Sequence, residues 1–183
     1  MAAAVAAVAA GAAAAATAEV TARPGAPALV EARQQALLIA ALRAALAGAG
    51  VAASIVRGLD AGPAFALLAF GGAILLLAVY GGDKRHRSAL RFGEAEPMPA
   101  DARRKSAGRG LAEAAYPSTV GLAVLTAIAL WREPGLAALL AGILAGLAVM
   151  SLVGAARVTA WQRARRARIL IDYKGNRVFE SPQ

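Results

Sequence analysis

The sequence predicts an all-α integral membrane protein with four transmembrane helices, arranged as two helical hairpins, and a short C-terminal cytoplasmic β-hairpin. Three observations carry that reading. Apolar residues make up 59% of the 183 residues, at a mean hydropathy of +0.57, and they fall in long runs instead of alternating with charge. A soluble helix needs a polar face, whereas runs of about 20 apolar residues leave none and match a bilayer core about 30 Å thick. The formal net charge of +9 is concentrated at the ends of those runs. Finally, each pair of runs is joined by a tight turn rich in Gly, Pro and charge.

Residues 1–35 form an Ala-rich low-complexity extension and linker. Met1 to Ala18 is nearly all alanine, a strong helix former but a weak hydrophobe. It reads as a signal peptide (Ala16-Thr17-Ala18 has the small residues of a cleavage site), as a fifth span, or as a partly helical extension. Arg23-Pro24-Gly25-Ala26-Pro27 breaks any helix, and Glu31 to Gln35 reads as a polar helical lead-in.

Residues 36–80 form the first hairpin. Its first span, Ala36 to Val56, contains Arg43, the one charge expected inside the membrane. Arg43 lies seven residues from the start of the span, or roughly 10 Å below the interface at 1.5 Å per residue. An intramembrane arginine marks either a functional site or a side chain that snorkels to the near surface. Arg57 to Pro63 supplies the turn, with Gly ending one helix and Pro starting the next. The second span, Gly62 to Tyr80, ends on an interfacial aromatic residue.

Residues 81–117 are polar, with eight bases and five acids. Lys84, Arg85 and Arg87 open this stretch. Glu94 to Pro99 is acidic and proline-broken, hence irregular. Asp101 to Ala115 reads as a short amphipathic helix capped by Asp101, with Arg103, Arg104 and Lys105 on its polar part.

Residues 118–156 form the second hairpin. Its first span, Ser118 to Trp131, has only 14 residues and needs local thinning or packing to cross. Trp131 to Gly135 is the turn. The last span, Leu136 to Ala156, carries Gly142-x-x-x-Gly146, extended by Ala138 and Gly154 on nearly the same face. Small residues let helix backbones approach closely, which fits either a dimer face or packing within the chain.

Residues 157–183 are a basic tail with seven bases and two acids. Arg163, Arg165, Arg166 and Arg168 extend the helix, and Ile169 to Phe179 around Gly175-Asn176 reads as the β-hairpin.

Orientation follows from charge. The N-terminal stretch, middle segment and tail hold 17 Lys or Arg residues against two in the turns, so those three regions belong on the cytoplasmic side. Both termini are then cytoplasmic, and the heavy use of Ala, Arg and Gly points to a bacterial plasma membrane. The basic clusters, Lys84 to Arg87, Arg103 to Lys105 and Arg163 to Arg168, suit anionic lipid headgroups. Without aromatic interleaving or a recognised motif they do not read as a nucleic-acid surface.

Chemistry is sparse. The chain has no cysteine, which removes thiolate nucleophiles and thiolate metal sites. The spans contain no Asp, Glu, His or Lys, and their noted polar side chains are Ser54, Thr126 and Ser151. No catalytic residue, metal site or cofactor is expected. The expectation is a non-enzymatic accessory or scaffold component, bound to membrane lipids and to a protein partner or further copies of itself. The alternative is a small oligomeric transporter or channel subunit.

Overall fold

The computed structural model describes residues 28–80, 95–99, 103–104, 107–172 and 177–182. It is mostly helical, with a small sheet. The chain divides into two compact units. One unit comprises residues 37–89 and 115–153 and is a helical bundle; the other comprises residues 1–36, 90–114 and 154–183 and holds the sheet.

Four helices supply the bundle. Helix α1 spans Ala32–Val56, α2 spans Ala61–Tyr80, α4 spans Ser118–Arg132 and α5 spans Pro134–Arg165, while a short α3, Ala107–Ala115, belongs to the sheet unit. Helices α1, α2 and α5 are long and apolar enough to cross a membrane. At 15 residues, α4 is apolar but shorter than a standard span.

The expected turns are present, and their chemistry is legible. Gly58 takes a left-handed φ of 98°. Its N–H donates to the Ile55 carbonyl at 3.0 Å, and the Leu59 N–H donates to Ser54 at 3.1 Å. This pair of bonds is the Schellman closure, which needs a residue without a Cβ at the left-handed position. Leu59 then folds back beside Ile55 on the cluster of Val51, Ala64 and Ala141. At the other turn, the Glu133 N–H donates to the Ala129 carbonyl at 2.7 Å, and Pro134 opens α5. Proline suits a first helical position because its missing N–H would have no partner there.

The sheet unit departs from the expectation. The C-terminal hairpin is present as β4, Ala167–Asp172, paired antiparallel with β5, Arg177–Pro182. It does not stand alone, however, and the fold is not all-α. The hairpin is the centre of a five-stranded sheet in the order β2-β5-β4-β1-β3. Strand β1, Ala28–Glu31, pairs antiparallel with β4, placing Val30 opposite Ile171. Strand β2, Glu96–Pro97, lies parallel to β5, and β3, Arg103–Arg104, lies parallel to β1. Glu31 therefore closes a strand instead of opening a helix, Glu96 and Pro97 are in a strand, and the helix expected from Asp101 begins at Ala107. The physical reason is that a lone hairpin is marginal in water, and neighbouring segments complete its backbone hydrogen bonds. Both edge strands are two residues long, which limits the open edge available for pairing with another chain.

Alternation gives the sheet two apolar faces. Ile169, Ile171 and Val178 share one face with Ala32, Val158 and Trp161, the helical residues that cover it. Leu29, Leu170 and Phe179 form a separate buried cluster on the other. Gly110 of α3 rests on Val30, where an added Cβ would stand 3.0 Å from both methyl carbons.

Helix α5 passes into β4 through Arg166, which takes a φ of 52°. A non-glycine residue pays about 1–2 kcal/mol in this region. Arg166→Gly should therefore raise unfolding stability by about 1 kcal/mol, measured by thermal or denaturant unfolding in detergent.

Candidate functional site

The sequence singled out a small-residue motif in the last span, and the bundle shows what it meets. Gly142 and Gly146 of α5 face Leu68, Gly71 and Gly72 of α2 within the same chain. The approach is backbone on backbone: a Cβ on Gly71 would strike the Leu139 carbonyl oxygen, and a Cβ on Gly142 would strike the Leu68 carbonyl oxygen. A Cβ on Gly146 would come within 3.1 Å of the Gly72 oxygen. Ala138 is fully buried. Gly154 has open space around its missing Cβ and takes no part in this crossing. The α2 half of the contact was missed in the sequence, although a Gly-Gly pair inside the most apolar run was its available signal.

Arg43 is the second feature. Its Nε donates to Thr119 Oγ1 at 2.9 Å, and its Nη1 donates to Ser151 Oγ at 2.8 Å and to the Leu147 carbonyl oxygen at 3.4 Å. Arg43 thus ties α1 to both α4 and α5. Ser151 in turn donates to Leu147 at 2.9 Å. A guanidinium carries five N–H donors in a fixed fork, so one side chain can serve acceptors on two neighbouring helices. Thr119, buried to 1% exposure, was not among the polar side chains picked out from the sequence. Its signal is weak, because a threonine beside a serine at a helix start reads as capping.

Two further hydroxyls serve their own helices. Ser54 donates to Gly50 at 2.9 Å and Thr126 to Leu122 at 2.7 Å, each one turn back. Such bonds satisfy a hydroxyl in an apolar setting without a partner helix.

The far end of the bundle is joined by an aromatic contact. The Arg57 guanidinium lies over the Trp131 ring, 5.8 Å from its centroid, and Nη2 donates to the Trp131 carbonyl oxygen at 3.4 Å. Gly50 lies against the Thr126 methyl, where a Cβ would come within 3.3 Å. Helices α1 and α4 therefore run parallel in near-constant register: Arg43 to Thr119 is an offset of 76 residues and Arg57 to Trp131 is 74.

In the sheet unit, Arg163, Arg165, Arg166 and Arg168 are exposed around the end of α5, and the Arg165 guanidinium lies 5.3 Å from the Trp161 ring centroid. Arg103 and Arg104 form β3. Lys84, Arg85, Arg87 and Lys105 lie outside the described residues, as does the Ala-rich stretch with its three readings. Gln35 donates to the Gly110 carbonyl at 2.9 Å, and both Gln35 and Gln162 are buried.

These features define a membrane-embedded helical protein that carries a small sheet unit. No protein-family model matches the chain, and the searches of curated proteins and of solved structures each returned no match.

Gly142→Ala should destabilise the bundle by about 2 kcal/mol or more through overpacking. Gly48→Ala, where no atom lies within 4 Å, should be neutral or stabilising by up to about 1 kcal/mol; reversible unfolding in mixed micelles measures both. A double-mutant cycle of Arg43→Met with Thr119→Val should give a coupling of about 0.6–1.7 kcal/mol, the range for hydrogen bonds between membrane helices.

Proposed function

We propose that this chain is a four-span protein of a bacterial plasma membrane, built as two helical hairpins, whose role is that of a non-enzymatic accessory or scaffold component. The single observation that carries the reading is the sheet, which is made from three chain segments separated by the apolar helices. Hydrogen-bonded strands sit about 4.8 Å apart, so β1, the pair β2 and β3, and the pair β4 and β5 share one side of any bilayer. Between β1 and β2 the chain passes through α1 and α2, an out-and-back pair. Between β3 and β4 it passes through α4 and α5. If α5 crosses, the chain returns to the sheet's side only if α4 crosses as well. The sheet thus supports a fourth crossing, by a helix too short to be assigned one from its length.

Charge supports the orientation. The segments that build the sheet unit hold most of the 20 Lys and Arg residues, and basic segments stay on the cytoplasmic side. The bundle's hydroxyls bond within the protein, which favours a structural interior over a solute path. The working surface is then the sheet unit, with Arg163, Arg165, Arg166 and Arg168 available to anionic headgroups or an acidic protein partner.

The absence of native cysteine makes the topology directly measurable. With a membrane-impermeant maleimide on intact cells, Asp60→Cys and Glu133→Cys should label, and Arg168→Cys should label only after permeabilisation. Labelling of all three from one side would overturn the four-span reading. The scaffold role fails if the purified protein alone moves a solute across liposomes.

A further inference from the structure

We infer that the protein thins the bilayer locally, from the cytoplasmic side, beside helix α4, and that phospholipid headgroups of that leaflet fill the resulting depression. The inference rests on the four-span reading above.

Helix α4 has 15 residues and is about 22 Å long at 1.5 Å per residue. A bilayer core is about 30 Å thick, which leaves a shortfall of about 8 Å. Exposed aromatic residues, Tyr116 and Trp131, bracket the helix, and such rings seek the level of the headgroups. The same shortfall emerges from Arg43. Counted along α1 from the start of the apolar run at Ala36, Arg43 lies roughly 10 Å deep. Counted along α4, its partner Thr119 is one residue from the helix start, or about 1.5 Å. The two counts differ by about 9 Å, close to the missing length. A charge that looks deep on its own helix is therefore at the surface on its neighbour.

The outer ends of α1 and α4 decide where the shortfall lies. Arg57 stacks over Trp131 and bonds its carbonyl, so α1 and α4 finish level there. All of the missing length falls at the opposite end, around Tyr116, Ser118 and Thr119. Helix α5 carries apolar residues from Leu152 to Ala156 beyond Ser151, the residue that bonds Arg43, and α2 continues to Tyr80. The apolar surface is thus tall on those helices and cut away at α4. A bilayer meeting a short apolar stretch bends to cover it at a modest cost. The part-buried Arg43 guanidinium, with its partners Thr119, Ser151 and Leu147, then lies near the headgroup level instead of deep among acyl chains.

The test compares two lipid-facing positions at the same level. Gly72 adjoins Gly146 and Arg43 adjoins Leu147, so Ile74 on α2 and Val120 on α4 lie within about 3 Å of each other along the bundle axis. Both are exposed. Bimane-labelled Val120→Cys and Ile74→Cys are reconstituted in dioleoylphosphatidylcholine containing nitroxide lipids labelled at the headgroup or at mid-chain. Val120→Cys should be quenched several-fold more by the headgroup nitroxide, and Ile74→Cys by the mid-chain nitroxide. Equal mid-chain quenching at both positions, or protection of Val120→Cys from both quenchers, would overturn the inference. The cysteine-labelling pattern at Asp60, Glu133 and Arg168 reports separately on topology, so a failure of depth is distinct from a failure of the four-span reading.

Discussion

Strand pairing across distant segments is the constraint on which the rest depends. Backbone N–H and C=O groups cannot reach a partner across hydrocarbon, so a sheet belongs wholly to one aqueous side. Here β1 precedes the first apolar helix, β2 and β3 follow the second, and β4 follows the last. On the four-span reading proposed above, Val30 opposite Ile171 and Glu96 opposite Phe179 bear on topology as well as on the sheet. They ask the chain to leave and return in pairs, which is the role that reading gives to a helix that hydropathy alone leaves marginal.

The bundle gains its stability in a way that water-soluble cores do not. Lipid is as apolar as leucine, so burying a large side chain against another helix gains little from the hydrophobic effect. What remains is close contact, and glycine provides it. The α2–α5 crossing brings backbone to backbone at Gly71, Gly142 and Gly146. Small residues are prominent among the fully buried positions of the bundle, Ala64, Ala137, Ala138 and Ala141 among them, with Leu144 a large one. Their larger neighbours, including Phe65, Phe70 and Leu77, point outward, as expected where the solvent is acyl chain.

Arg43 illustrates how such a bundle tolerates a cation. Its bonds to Thr119 Oγ1, Ser151 Oγ and the Leu147 carbonyl replace part of a hydration shell with fixed dipoles. The Leu147 carbonyl also accepts from Ser151, so the donor fork and the hydroxyl converge on one backbone oxygen. The result is a polar tie among three helices in an otherwise apolar unit.

The sequence by itself determined the membrane class, the turns and the C-terminal hairpin. Each of these is a local property: a run of apolar residues, Gly58 at a helix end, β-forming residues around Gly175-Asn176. It also located Arg43 and the Gly142–Gly146 motif, because an intramembrane charge and a small-residue spacing are visible one helix at a time. Only the tertiary structure decided what those features meet. Thr119 becomes the partner of Arg43 through the parallel register of α1 and α4, and Gly71 becomes the partner of Gly142 through a crossing of α2 and α5. The extra strands were illegible for the same reason. Glu96-Pro97 and Arg103-Arg104 have no strand propensity to read, and they are extended because β5 and β1 offer unpaired edges, a cause that lies many residues away along the chain.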